Sequence, residues 1–346
     1  MNIVNPNAEL LKNEGDLYEL IEKIGRTCYK SEDKITPGSA QKFVKMLASK
    51  QHGAMLEHGY LYFEFTPYAM GDFARQMTED GKNAASADKY RYMNIEGNFL
   101  SVSARAFLEY IQKQGPELSG PDFAMYDQAQ KLYPEIFHME GFKPQKNVQT
   151  QAWINGIFIA TKDKLIQDIK DQVPSDKQAE TLSKLLPMTV KFTCSRGVSH
   201  EFVRHRPCAF AQESQRYCNY SKGKQGGDIS FIKPVFFEEG TPQYSAWKGS
   251  CQAAEDMYNQ LIAIGAKPEE ARDVLPNACK TEIFITATEK EWQHIVNLRL
   301  KGLTGKPHPA MVEVMQIAYP QLMKESEGRI DPSADLQKEE QEEREL

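Results

Sequence analysis

Between Arg204 and Tyr220 the chain reads RHRPCAFAQESQRYCNY. Two arginines flank a histidine, a proline follows, and after seven intervening residues come Ser214, Gln215, Arg216 and Tyr217. A guanidinium offers a rigid fork of N–H donors that matches phosphate oxygens, and it keeps its charge at any working pH. If the segment is extended, Ser214 and Arg216 point to the same side, and a phosphate fits between them. The residues alone leave two other accounts open, a structural ion-pair cluster and a patch that meets nucleic acid. Cys208 and Cys218 bracket the segment, and a thiol among arginines is placed for a lowered pKa.

Three other stretches carry groups able to do chemistry. In HGAMLEHGYLYFEF the aromatic run Tyr60–Phe65 suits a strand. His52, Glu57 and His58 then stand at its entrance, either to meet a ligand or to cap the strand and bond one another. A helix opened by Pro268 carries Glu269, Glu270 and Arg272 before LPNACKTEIFI. EKEWQHIVNLRL reads as a helix whose Trp292, Ile295, Val296 and Leu298 are buried, which leaves His294 and Arg299 to face a site.

These groups need a scaffold. Apolar spacing over residues 8 to 24 (Leu10, Leu11, Leu17, Leu20, Ile21, Ile24) predicts a helix stopped by Gly25, and Ser39 to Ala48 predicts a second that delivers the chain to His52. Pro67 to Met77 begins a third. Around Tyr90, Arg91 and Tyr92 a polar stretch reads as a surface strand, with stacking on a ring system as the alternative. Ser101 to Lys113 reads as helix. Leu132, Ile136 and Phe137, then Trp153, Ile154, Ile157, Phe158 and Ile159, then Leu182, Leu185 and Leu186 read as several helices joined by Gly and Pro loops. Thr189 to Val203 predicts a helix ended by Pro207, with Arg196, His200 and Arg204 in line at four-residue spacing. ISFIKPVFF reads as a strand, Tyr244 to Ile264 as a helix closed by Gly265, GLTGKPHPAM as a loop holding His308, and Val312 to Met323 as a last helix.

The 346 residues suffice for a sizeable core, and with 40% apolar and 26% charged residues the chain has the composition of a soluble globular protein. A net charge of −6 argues against a dedicated nucleic-acid binder. A local basic cluster in an acidic chain instead suggests a small anion held in a pocket. The first residues carry no basic stretch followed by an apolar one, and no run approaches a membrane span, so the expected location is cytoplasmic, with no membrane partner. Cys28, Cys194, Cys208, Cys218, Cys251 and Cys279 show no metal-ligand spacing, so free thiols and no metal are expected.

RHR with a serine at this distance, its lead-in RGVSHEFVRHR and its continuation QESQRYCNYS together resemble the signature of the flavin-dependent thymidylate synthases. His52, Glu57 and His58 match the ends of that family's GHxxxxEH element; Ala271, Arg272, Leu275, Pro276 and Thr281 match its AR…LP…T segment, and NLRL its last helix. The resemblance runs from Asn5 to about Tyr319, apart from an insertion over about 108–186. It implies an α/β (α+β) fold, a mixed or antiparallel sheet flanked by helices, in a single catalytic domain over 1–328 with a helical insertion; the polar, charge-dense composition from Arg329 predicts a flexible tail over 329–346. It also implies a homotetramer with active sites at subunit interfaces, FAD as cofactor, and NADPH and methylenetetrahydrofolate as co-substrates. The implied reaction is reductive methylation of dUMP to dTMP, with no cysteine nucleophile.

By the same resemblance Arg299 is the catalytic residue, binding the pyrimidine and favouring its N3-ionised form. Glu201, Arg204, Gln212, Glu213, Ser214, Gln215, Arg216 and Arg272 contact the nucleotide. His52, Glu57, Arg204, His205, Arg206, Gln212, Thr288, Lys290 and His294 contact the flavin. The chain departs from the pattern at Ala54 (serine or threonine in the family), Gln212 (glutamate), Thr288 and Lys290 (asparagine and arginine) and His294 (asparagine). These departures keep open a related flavoenzyme that modifies another pyrimidine nucleotide, for example by hydroxymethylation. A non-catalytic nucleic-acid binder is the reading from a different class.

Overall fold

A computed structural model gives the fold, and it describes residues 1–12, 16–50, 52–82, 92–118, 120–142, 155–216, 218, 220 and 228–331. Tyr90, Arg91, Trp153, Ile154, Tyr217, Asn219 and the tail from 332 onward lie outside the described residues. The chain groups into two compact units: Met1–Lys12, Lys23–Lys34 and Met188–Leu346 make the first, Asn13–Glu22 and Ile35–Pro187 the second.

The first unit is built on a four-stranded sheet in the order Asn7–Leu11, Pro187–Ser195, Lys280–Thr288, Ala209–Gln212. Its outer pairs are antiparallel, with Leu10 opposite Val190 and Phe284 opposite Ala211. Asn2–Val4 pairs in parallel with Ser230–Ile232 beside it as a separate ribbon. Val190, Phe192 and Cys194 on one strand and Ile283, Ile285 and Ala287 on the next take every second position and share one buried core. They pack against Trp292, Ile295 and Val296 of the helix Glu289–Val296, and against Met311, Val314 and Met315 of the helix Pro309–Glu325. A smaller core of Ile229, Phe231, Cys251, Tyr258 and Cys279 forms around the helix Pro242–Ala263.

The second unit has its own antiparallel sheet, in the order Met93–Glu96, Phe99–Ser103, Tyr60–Phe65, Ile157–Ala160. Alternation along Tyr60–Phe65 serves two cores. Leu61, Phe63 and Phe65 join Phe73, Phe107, Tyr126 and Phe137 of the helical layer, while Tyr62 joins Leu165, Ile169, Leu182 and Leu185 of the helices Lys162–Gln172 and Ser175–Leu185. The fold is therefore the expected α/β class, mixed and antiparallel sheets flanked by helices. Among the described residues no helix is long and apolar enough to cross a membrane.

Several local expectations change. Residues 8 to 24 are not one helix: Asn7–Leu11 is a strand, and the helix is Leu17–Cys28, running through Gly25. Leu10 and Leu11 fit a helical spacing, yet pairing with Pro187–Ser195 satisfies their backbone and overrides it. Thr189 to Val203 divides into the strand Pro187–Ser195 and the helix Arg196–Phe202. Its β-branched and aromatic first half alternates in burial, and Ser195 Oγ accepts the Val198 N–H at 3.2 Å to start the helix. Arg204 lies past that helix, so Arg196, His200 and Arg204 do not share a helical face. Ile157–Ala160 is an edge strand instead of helix, Ser101 to Ser103 complete the strand Phe99–Ser103 before the helix Ala104–Gln114, and ISFIKPVFF is strand only over Ser230–Ile232.

Candidate active site

After the helix Arg196–Phe202 the chain turns tightly, with the His205 N–H bonded to Phe202 O at 3.0 Å and the Cys208 N–H to His205 O at 3.3 Å. Residues in such a turn alternate in direction. Arg204 and Arg206 are exposed, whereas His205 between them is only 6% exposed. The histidine faces the helix Glu289–Val296, which Thr288 caps by accepting the Glu291 N–H at 3.4 Å. That helix does not end as a plain α-helix. It widens into a π turn over Asn297–Lys301, where Gly302 N–H reaches back to Asn297 O at 3.0 Å.

The π turn carries Arg299 to His205. Arg299 Nε donates to His205 Nε2 at 3.0 Å, Nη1 to Glu201 Oε2 at 3.1 Å and Nη2 to the Glu201 carbonyl at 3.2 Å. Two hollows meet at Leu298 and Arg299. One, of about 370 Å³, is lined by Arg204, His205, Arg206, Glu291 and His294; the other, of about 320 Å³, by Glu201, Thr304, Lys306 and His308. His205, Glu291 and His294 could offer one ligand atom each within 4.8 Å of one another. Three guanidiniums share that hollow, however, and their field favours an anion over a cation.

Charge is arranged asymmetrically there. Burial, the Arg299 guanidinium and His294 push His205 from its ordinary 6.5 down to about 4, so it is a neutral acceptor at neutral pH. Burial raises the Glu291 carboxyl, opposed by His294 and Lys290. Among the described residues Arg204 and Arg206 carry no ion pair. Because unfolded His205 takes up a proton near pH 6.5 and the folded one near 4, stability falls as pH drops through that interval and is unaffected by this group above it. A urea-denaturation series from pH 7 to 4 reads the decline, and a His205→Gln variant is expected to flatten it.

Gly302, which closes the π turn, sits at φ +76, and a Cβ there would lie 2.8 Å from both Gly305 O and Pro307 Cδ. Gly302→Ala is expected to destabilise by about 2 kcal/mol from left-handed strain alone, more with the clash, read as a lowered urea midpoint.

The residues from Gln212 to Arg216 are held by a different set of contacts. Gln212 ends its strand with Nε2 bonded to Ser199 Oγ at 2.7 Å and Thr281 Oγ1 at 3.2 Å. Glu213 is 3% exposed and turned inward, 3.3 Å from Lys30 Nζ and 3.2 Å from Lys280 Nζ. Glu282 receives Lys30, Lys280 at 3.3 Å and Lys191 at 2.7 Å. Burial works against its charge, but Lys280 and Lys30 hold the Glu282 carboxyl at about 2. Ser214 and Arg216 are not consecutive same-side residues of an extended strand: Ser214 Oγ accepts the Arg216 N–H at 3.3 Å and closes a turn. Arg216 lies 3.7 Å from Glu269, one short helix ahead of Arg272. Gln215 Nε2 approaches Cys279 Sγ at 3.8 Å.

The structure thus brings Arg204, His205, Arg206, His294, Glu201 and Arg299 together, with Thr288 and exposed Lys290 at the start of the same helix. His52 and Glu57 belong to the second unit, where His52 N–H bonds Leu47 O at 3.0 Å and Glu57 Oε1 accepts Arg105 Nη1 at 2.6 Å. Glu291 was missed in the sequence, although it stands one turn before His294 on the same helix. Lys30, Lys280 and Glu282 left no local signal. All six cysteines are buried, and burial pushes the thiols of Cys28, Cys194 and Cys279 up to about 12 and Cys218 and Cys251 to about 11, so none of these five is a ready nucleophile.

Residues 119–325 match the family model described as thymidylate synthase complementing protein. The match starts inside the stretch expected to be an insertion, and it leaves out His52 and Glu57. Flavin-dependent thymidylate synthases of Pyrococcus furiosus and Geobacter sulfurreducens are each 34% identical to this chain, over 107 and 105 residues. These alignments cover 31% and 30% of the chain and 43% and 44% of the relatives, so the chain spans less than half the length of these curated relatives. A crystal structure of a UMP/dUMP methylase from Streptomyces cacaoi bound with 5-Br dUMP covers 94% of this chain and 93% of its own at 13% identity, with a TM-score of only 0.37. The family match rests on firmer ground, since it takes in more than half of the chain and both turns that meet at Arg299, and by it the chain belongs to the thymidylate synthase complementing protein family.

Proposed function

We propose that the protein is a cytoplasmic flavin-dependent thymidylate synthase that methylates dUMP to dTMP, with FAD as cofactor and NADPH and methylenetetrahydrofolate as co-substrates. The observation that carries this is Arg299, held by three hydrogen bonds beside two open, cationic hollows. The residues present suit a flavin dinucleotide in charge: Arg204 and Arg206 are exposed guanidiniums able to meet its phosphates. The active site is read as shared between copies in a homotetramer. Bound flavin would supply the hydride and one-carbon chemistry that side chains lack.

The chain's own part is binding and electrostatics. Pyrimidine C5 is a poor nucleophile until electron density is pushed into the ring, and Arg299 does this by stabilising negative charge at N3 and O2. Ser214, Gln215, Arg216 and Arg272 hold the nucleotide's phosphate and sugar, and Gln212 spans nucleotide and flavin.

Absorbance of the purified protein before and after NADPH with dUMP, followed by product mass with methylenetetrahydrofolate, tests the proposal. A yellow protein that bleaches and yields dTMP supports it. Another product, or turnover of dCMP instead, points to a related pyrimidine-modifying flavoenzyme. A colourless protein that FAD cannot reconstitute overturns it.

A further inference from the structure

We infer that His205 is a positioning residue for Arg299: its imidazole holds the guanidinium in the plane from which it acts on the pyrimidine. This rests on the role proposed for Arg299, and it gives His205 a task other than meeting the flavin. Of the five N–H groups of Arg299, Nε is given to His205 and one on each Nη to Glu201, which leaves two for a ligand. Both Glu201 contacts lie on the Nη side, so without His205 the guanidinium pivots about them.

The chemistry explains why the third acceptor is an imidazole. Glu201 already sets one carboxylate on the guanidinium, and a second at that place would outweigh its charge and weaken its pull on developing negative charge. An imidazole accepts the Nε–H without adding charge. With Nε2 accepting, the ring proton is on Nδ1, which points toward Glu291 Oε1 at 3.9 Å, beyond hydrogen-bond range. The groups facing His205 are Arg299 from the π turn, His294 and Glu291 from the helix Glu289–Val296, Glu201 from the helix Arg196–Phe202, and Arg204 and Arg206 from its own turn. Most are cationic or polar donors, and they oppose a second proton on the ring. The turn fixes the ring's place through its backbone bonds to Phe202 and Cys208.

The test uses the full-length protein, reconstituted with FAD, as wild type, His205→Leu and His205→Gln. Glutamine can accept the Nε–H through its amide oxygen, and leucine cannot. The leucine variant is expected to keep its flavin and lose kcat by roughly 100-fold, with KM for dUMP moved less than about three-fold. Glutamine is expected to bring kcat back to within about ten-fold of wild type. A separate reading needs no turnover: ¹⁵N NMR of wild type at neutral pH should give the Nδ1-protonated, neutral tautomer for His205, and the Nε2 signal should shift in Arg299→Lys. An unchanged kcat in His205→Leu, flavin lost in step with activity in both variants, or an Nε2-protonated or cationic ring would each overturn the inference. If wild type itself binds no flavin or does not turn over dUMP, the functional reading fails, and the NMR arm still decides whether His205 holds Arg299.

Discussion

Arg299→Ala is expected to lower turnover of dUMP by roughly 100- to 1,000-fold at saturating nucleotide, the scale on which removal of one preorganised electrostatic group acts. Bound flavin is expected to remain, because Arg204 and Arg206 line the hollow from the turn after the helix Arg196–Phe202 and do not depend on Arg299 for a partner. The loss belongs in kcat. Arg299 is held by Glu201 and His205 before any ligand arrives, so its two remaining N–H groups are aimed in advance, and preorganised groups act where charge develops. Glu201 is about one-third exposed on its side chain and can be solvated once its partner is gone, so folding should change little. Arg299→Lys keeps the charge and loses the fork, and it should recover only part of the rate. Steady-state kcat and KM beside the flavin absorbance separate these effects, and normal activity in the alanine variant would remove Arg299 from the mechanism.

Glu213→Gln is expected to have the largest effect on stability, a loss of about 3 kcal/mol read as a lower urea midpoint, together with weaker nucleotide binding. Lys30, Lys191 and Lys280 face Glu213 and Glu282, three positive charges against two negative. Neutralising Glu213, whose side chain is 2% exposed, leaves three half-buried lysines around one carboxylate. Removing a lysine should be milder. Lys280→Met leaves two charges of each sign, so it is expected to cost less than the glutamine variant. The nucleotide effect follows from the backbone. Glu213 N–H bonds Glu282 O at 2.8 Å, its carbonyl accepts Arg196 Nη2 at 2.8 Å, and Ser214 N–H bonds Cys28 O at 3.1 Å. A shift of Glu213 therefore displaces Ser214 and Arg216, and isothermal titration with dUMP should register a weaker affinity with flavin content unchanged.

The network also sets the behaviour at low pH. Glu282 has its carboxyl held at about 2, below the usual 4.5, so its contribution is fully present above pH 4.5 and is lost as pH falls toward 2. The His205 decline comes earlier, between 6.5 and about 4.

Much of the local structure was legible because it is written in neighbouring residues. Tyr60–Phe65 reads as a strand from its aromatic alternation, and it is one, over those residues. Gly265, read as closing the helix from Tyr244, has φ +102 and lies just past the end of Pro242–Ala263. Where the reading failed, the cause was tertiary. Asn7–Leu11 and Pro187–Ser195 carry apolar spacings that a helix also fits, and only their pairing in the four-stranded sheet decides for strand.

The sequence by itself determined which groups could do chemistry, RHR with its serine and NLRL with its arginine, because type and short-range spacing are properties of the chain. Only the tertiary structure decided which of them meet. His205 and Arg299 are 94 residues apart and Lys30 and Glu282 are 252 apart, and each pair is joined by the sheet and helix packing between them. A periodic pattern specifies which face of an element is buried, but it carries no address for the element that covers that face. The partner of Arg299, the inward turn of Glu213 and the three lysines around two carboxylates therefore appear only when the strands are paired and the π turn is closed.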